Sequence, residues 1–230
     1  LIDARTDEHL WAETYDRELI AENIFDVQTE IAGAIAAALQ GTVTDRDARN
    51  LSLIPTRNMA AYRTYHQALN MRDSKHGVRT SPEYRALLRE AAELDPNFTR
   101  PLAELVGSLS LPNFRQKDPA LIEAAERTLA EIEAVAPNSS DFLIAQAYYT
   151  YYILQDFDLA HAIASEALEI SPSDVRLVEM KSWIERRQGN FYAMIDSIRQ
   201  MRSLDPRNPR WTQSLINNLI LTHQYDEAQT

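Results

Sequence analysis

Cysteine is absent from this chain of 230 residues, glycine occurs five times and proline ten times. Without cysteine there are no disulfides and no thiolate metal sites. So few glycines leave little room for glycine-rich loops or long disordered linkers. No stretch approaches the roughly 18 consecutive apolar residues of a membrane span. Basic residues are also in deficit, 23 against 34 acidic, for a formal charge of −11. General nucleic-acid binding wants a basic face, so this segment is not expected to bind nucleic acid. No signal-peptide pattern opens the chain at Leu1, and Leu1 is not a natural start, so the segment reads as part of a longer protein. Its compartment is cytoplasmic or periplasmic, with the cytoplasm preferred.

What is present is a period. "QDFDLAHA" from Gln155, "GNFYAMID" from Gly189 and "HQYDEAQT" from His223 place Phe157, Phe191 and Tyr225 34 residues apart. Pro172 and Pro206 close two of these units at the same interval, while Pro137 precedes Pro172 by 35 and Pro96 precedes Pro137 by 41. Between the marks lie pairs of apolar-periodic runs of about 12 to 14 residues, an ordinary helix length. In one unit Phe142 to Leu154 forms the first helix and Leu159 to Ile170 the second, with Ala160, Ala164 and Ala167 on one face. A helix–turn–helix unit repeated near 34 residues marks a helical solenoid. The three aromatics are predicted to sit in equivalent packed places between successive helix pairs.

These residues resemble the tetratricopeptide repeat. Tyr151, Phe157, Ala160, Ala167 and Pro172 match that pattern in one unit. Gly189, Phe191 and Pro206 match it in the next, where Met194 and Met201 replace the alanines and predict looser packing. The resemblance implies an all-α solenoid, a right-handed superhelix, over residues 58–230, with four units and the start of a fifth. Two units carry extra residues between their helices, "DSKHGVRTS" and "LPNFRQKD", read here as tolerated insertions.

Residues 1–41 follow another pattern. "LIDA" and "HLWAETYDREL" read as a β-hairpin, followed by a helix from the N-cap Asn23 to Gly41 with Ile24, Val27, Ile31, Ile35 and Leu39 on its apolar face. This stretch is similar to the C-terminal end of a TolB-like domain, with Asp7 in place of the usual turn glycine. Residues 42–57 are then a linker. The resemblance implies a bacterial signalling protein whose output domain lies upstream. That domain would be a class III adenylate or guanylate cyclase by the preferred reading, or a winged-helix transcription regulator. A stand-alone repeat scaffold or adaptor is the alternative.

No catalytic, cofactor or metal site is expected. The five histidines, His9, His66, His76, His161 and His223, form no metal-binding spacing, and no phosphate loop or nucleophile turn occurs. A candidate peptide groove follows from the register that the resemblance implies. Tyr149 and Tyr152 would face it, then Arg176, Glu179, Trp183, Arg186 and Arg187, then Arg210, Gln213 and Asn217, while Tyr148 and Tyr151 would pack inside. Aromatic and arginine side chains are frequent interface anchors. The partner would be a protein or peptide, of acidic character, held by charge-assisted bonds. The stronger reading is plain packing, with the tyrosines filling a seam and Arg186 and Arg187 at a solvated helix end. At the C-terminus the solenoid reads as cut, leaving Leu215 and Leu219 uncovered and favouring self-association through the ends.

Overall fold

The computed structural model describes residues 55–74 and 78–228, together with the helical positions Val27, Glu30, Ile31 and Ala34. The expected hairpin, nearly all of the helix before Gly41 and most of the linker lie outside the described residues. Ten α-helices follow in order: α1 (Met59–Ser74), α2 (Pro82–Leu94), α3 (Arg100–Ser110), α4 (Pro119–Val135), α5 (Ser140–Tyr149), α6 (Phe157–Ile170), α7 (Val175–Arg187), α8 (Phe191–Leu204), α9 (Pro209–Leu221) and the single turn α10 (Tyr225–Ala228). Short 3₁₀ turns stand at Val78–Thr80 and Leu111–Phe114. No strand occurs among the described residues. Each helix packs on the next, and the first helix of a pair also packs on the first helix that follows, α3 on α5 and α5 on α7. The architecture is a tetratricopeptide-type solenoid of helix pairs.

The punctuation is local. Asn58, Ser81, Asp118, Ser139, Asp156, Asp174, Asn190 and Asn208 each accept a backbone N–H of the helix they precede, which satisfies donors that a helix start leaves free. At the other ends, Pro96, Pro137, Pro172 and Pro206 each stand two residues past the last helical residue, where a ring cannot continue the ladder. The turn inside the last three pairs needs a left-handed residue. Gln155 (φ 59°), Gly189 (φ 77°) and His223 (φ 61°) supply it, 34 residues apart. Only glycine adopts it without steric cost.

The 35-residue interval has a structural cause. From N-cap Ser139 to Phe157 there is one residue more than from Asp174 to Phe191 or from Asn208 to Tyr225. The end of α5 absorbs it as a π-turn, Thr150–Leu154. In the later units the closing bond spans five residues, Asn190 N–H to Glu185 C=O and Gln224 N–H to Leu219 C=O; here Asp156 N–H reaches Thr150 C=O, six back. Left in a regular α-helix, one extra residue would turn everything beyond it by roughly 100°; the wider π-turn takes it up instead, so that Phe157 still begins the second helix.

Ala160, Ala164 and Ala167 are fully buried in a core that runs from α1 to α7. A second cluster, Val178, Met194, Ile195, Ile198, Met201, Trp211, Leu215 and Leu219, holds α7, α8 and α9 together. Methionine replaces alanine there, and a cavity of about 120 Å³ borders Met194, Ile198 and Met201.

Two expectations are corrected. Phe157, Phe191 and Tyr225 each begin the second helix of a pair, as the spacing requires, but Phe191 is 47% and Tyr225 50% exposed. Phe157 is covered because Tyr151 (5.3 Å) and Phe114 (6.5 Å) lie against it. The place corresponding to Tyr151 in the next unit is Glu185, whose carboxylate accepts from Ser197 and pairs with Lys181. Leu215 and Leu219 are not uncovered either. Both are buried against α8, and the exposed apolar side chains at that end are Ile220 and Leu221.

Gly107 of α3 lies beneath the Tyr148 ring. A β-carbon there would stand 3.0 Å from the ring's Cδ2, and Tyr148 is only 1% exposed, so it has nowhere to move. Gly107→Ala is therefore expected to destabilise the chain by about 1–3 kcal/mol, despite the ~1 kcal/mol that alanine gains in helix propensity. Urea unfolding of the variant measures this; a gain in stability would show that the ring yields.

Candidate functional site

The first helices α1, α3, α5, α7 and α9 present one side to a set of charged and aromatic residues. At its centre is Glu104 of α3, 2% exposed. Arg72 of α1 lies 3.5 Å from its carboxylate, Arg79 of the Val78–Thr80 turn 3.8 Å, and Arg176 of α7 4.0 Å. Tyr84 donates its hydroxyl to Oε2 at 3.2 Å. Burial alone would push the Glu104 carboxyl up, but Arg72, Arg79 and Arg176 outweigh it and hold it below the ordinary range. Arg176 is bound in turn to Asp174 (2.6 Å) and to Asp141 of α5 (2.8 Å). Asp174 follows the same logic: burial raises its pKa, Arg176 overrides burial, and the net direction is down. The network thus ties the first four units together.

Beyond it, at the ends of α5 and α7, is a pocket of about 420 Å³. Phe114, Tyr151, Tyr152 and Trp183 form its walls, with Leu111 and Pro112 beside them, and Arg115, Arg186 and Arg187 stand at its rim. Phe114 stacks on Tyr151 at 5.8 Å, and Tyr152 meets Tyr151 edge-on at 4.8 Å. Arg187 donates to the Tyr151 hydroxyl at 3.1 Å and its guanidinium lies 4.6 Å above the Phe114 ring. Among the described residues, none of the three rim arginines has a carboxylate within ion-pair distance.

The candidate groove residues do not form one strip, although Trp183 and Arg186 border both cavities. Tyr152, Trp183, Arg186 and Arg187 come together in the aromatic pocket. Glu179 and Arg210, an ion pair, border the smaller cavity between α7, α8 and α9, where Arg210 also lies 4.8 Å from the Trp211 ring. Arg176 is partly buried and held in the ion network. Tyr149 and Asn217 fall elsewhere. Tyr149 donates at 2.6 Å to Glu126 of α4; burial and that bond push its pKa up to about 12. Asn217 is exposed and accepts from Gln213, while Asn218 borders the small cavity.

Tyr151 is the residue that the register reading put elsewhere. It is buried, as expected, but it also lines the pocket, from within the π-turn. Phe114, Arg115 and Arg79 come from the two insertions, which no repeat register covers. Both insertions thus contribute side chains to this face: the second supplies Phe114 and Arg115 at the pocket, and the Val78–Thr80 turn of the first supplies Arg79 beside Glu104.

No protein-family model matches the chain, and no curated protein matches it. Solved structures that share a helical resemblance include a crystal structure of MamA, 15% identical over 64% of this chain and 81% of that one, with a TM-score of 0.43. Another is MamA 41-end from Desulfovibrio magneticus RS-1, 14% identical over 82% of this chain and 92% of that one, with a TM-score of 0.42. The fold assignment rests on the chain's own recurring caps, turns and helix pairs. No helix among the described residues is long and apolar enough to cross a membrane.

Proposed function

We propose that this chain is a non-catalytic protein-interaction module and that its aromatic pocket holds an acidic segment of a partner protein. The observation that carries the reading is charge. In a chain of net charge −11, three rim arginines with no carboxylate partner among the described residues gather at one pocket walled by four aromatic rings. Guanidinium forks take carboxylates with charge-assisted, often bidentate bonds. Rings beside them offer apolar area at low conformational cost. The buried Glu104 and Glu179 and the partly buried Asp141 and Asp174 are engaged by arginines, which suits a structural role better than proton transfer.

A stand-alone scaffold or adaptor accommodates everything described here. The cyclase or winged-helix parent rests on the resemblance of residues 1–41 alone, and upstream sequence decides it: two metal-binding aspartates on a ferredoxin-like fold favour the first, a recognition helix the second.

The interaction reading is tested with a fluorescein-labelled peptide alternating glutamate and leucine, and its lysine counterpart. The glutamate peptide is expected to bind saturably and to weaken with added salt, and the lysine peptide to bind at least about tenfold more weakly, a difference of ~1.4 kcal/mol. In parallel, ATP with magnesium is expected to give no saturable heat. Equal binding of both peptides would remove the acidic-partner reading, and micromolar ATP binding would remove the non-enzymatic one.

A further inference from the structure

The Val78–Thr80 turn belongs to the "DSKHGVRTS" insertion, outside the repeat, yet it lies on the face of the first helices. Ser108 of α3 donates to the Arg79 carbonyl at 2.5 Å. The Arg79 side chain reaches the fourth unit, with its guanidinium 5.2 Å from the centre of the Trp183 ring and 3.8 Å from Glu104 Oε2. Tyr148, Tyr152 and Glu179 complete its electrostatic surroundings. An aromatic face and a buried carboxylate are the two elements that hold a guanidinium.

Arg79 fills this place imperfectly. Its closest approach to Glu104 is an ion pair beyond hydrogen-bond length. Glu104 Oε1 and the Tyr148 hydroxyl are both buried and have no hydrogen-bond partner among the described residues. Arg176 Nη1, at 4.0 Å from Oε1, is likewise unsatisfied, its guanidinium being drawn to Asp141 and Asp174. Buried acceptors left unmade are costly, so the face has hydrogen-bonding capacity that its internal arginine leaves unused.

We propose that Glu104, Tyr148, Tyr152 and Trp183 form a guanidinium-binding cage for an arginine side chain of a partner, and that Arg79 occupies it in cis as a displaceable stand-in. The site differs from the aromatic pocket and takes the opposite charge; the two share Tyr152 and Trp183. A partner segment carrying an arginine would release the Val78–Thr80 turn from this face, and an acidic group beside that arginine would fall toward the arginine-rimmed pocket.

The test empties the cage in the whole chain. Arg79→Ala is titrated calorimetrically with N-acetyl-arginine amide and with N-acetyl-lysine amide. The arginine probe is expected to bind saturably at one site, about tenfold tighter than it binds the unaltered chain and about tenfold tighter than the lysine probe, which lacks the planar fork. Arg79→Gln, whose shorter, uncharged side chain withdraws the guanidinium from Glu104 and Trp183 while keeping most of the stem's packing, serves if the alanine variant fails to fold. Adding Glu104→Gln to either variant is expected to abolish the gain. The proposal is overturned if neither variant takes up the arginine probe, if the unaltered chain binds it equally, or if the lysine probe binds as well. The acidic peptide is titrated alongside; its binding does not depend on Arg79, so either site can fail without the other.

Discussion

Glu104→Ala is expected to lower the unfolding free energy by about 3–5 kcal/mol, the range for breaking a buried charge network by removing one member. The side chain is 2% exposed and lies among three guanidinia. Its removal leaves Arg72, Arg79 and Arg176 in mutual repulsion and takes away the acceptor of the Tyr84 hydroxyl. The same residue gives a pH signature. Its folded pKa is depressed below the ordinary value of 4.5, and that of Asp174 below 3.8. A depressed carboxylate stabilises the fold above its unfolded pKa, and that contribution is lost as pH falls through the folded value. Stability should therefore decline below about pH 4.5. Because the other acidic residues titrate there too, the informative quantity is the difference between the unaltered chain and Glu104→Gln. Urea unfolding at pH 7 and at successive steps below pH 4.5 measures it. The gap should be widest at pH 7 and narrow toward acid. A gap that stays constant would mean that Glu104 is not ionised in the folded state.

How much of this was legible beforehand depended on whether a feature repeats. The spacing of Phe157, Phe191 and Tyr225 located the start of three second helices, and the prolines located the ends of four. The left-handed turn position is announced by Gly189 but hidden at Gln155 and His223, where the repeat forces a non-glycine residue into the same backbone conformation. The 35-residue interval was visible in the sequence. Its meaning was not, because an extra residue can be looped out anywhere in a unit, and only helix hydrogen bonding shows that α5 absorbs it. The insertions were opaque for a related reason: a repeat register predicts nothing about residues outside the repeat. Arg79, Phe114 and Arg115 reached the site through long-range packing, not through helix periodicity. Burial of the repeating aromatics was misjudged because equivalent positions need not have equivalent neighbours, as Tyr151 and Glu185 show.

Replacing both Trp183 and Arg187 with alanine is expected to weaken binding of the acidic peptide by about 100-fold, since truncating each of two interface anchors typically costs more than about 1 kcal/mol and a factor of ten is ~1.4 kcal/mol. The two residues act differently. Arg187 is exposed, bonded to the Tyr151 hydroxyl and laid over Phe114, so its loss alone should shift Tm little while removing a rim charge. Trp183 lies 6.4 Å from the Tyr148 ring, 6.3 Å from Tyr152 and beneath Arg79. Its truncation opens space beside the core and should lower Tm by several degrees even if no partner ever touches it. A fall in Tm is therefore not the deciding result for the double variant. The deciding variants are Arg187→Ala and Arg187→Lys, which leave the core intact. Lysine keeps the charge but loses the planar fork and the stacking on Phe114, so Arg187→Lys should bind more weakly than the unaltered chain and more tightly than Arg187→Ala. If both single variants bind the glutamate peptide as well as the unaltered chain, Arg187 is a solvated helix-end residue and the aromatic pocket is not the binding site.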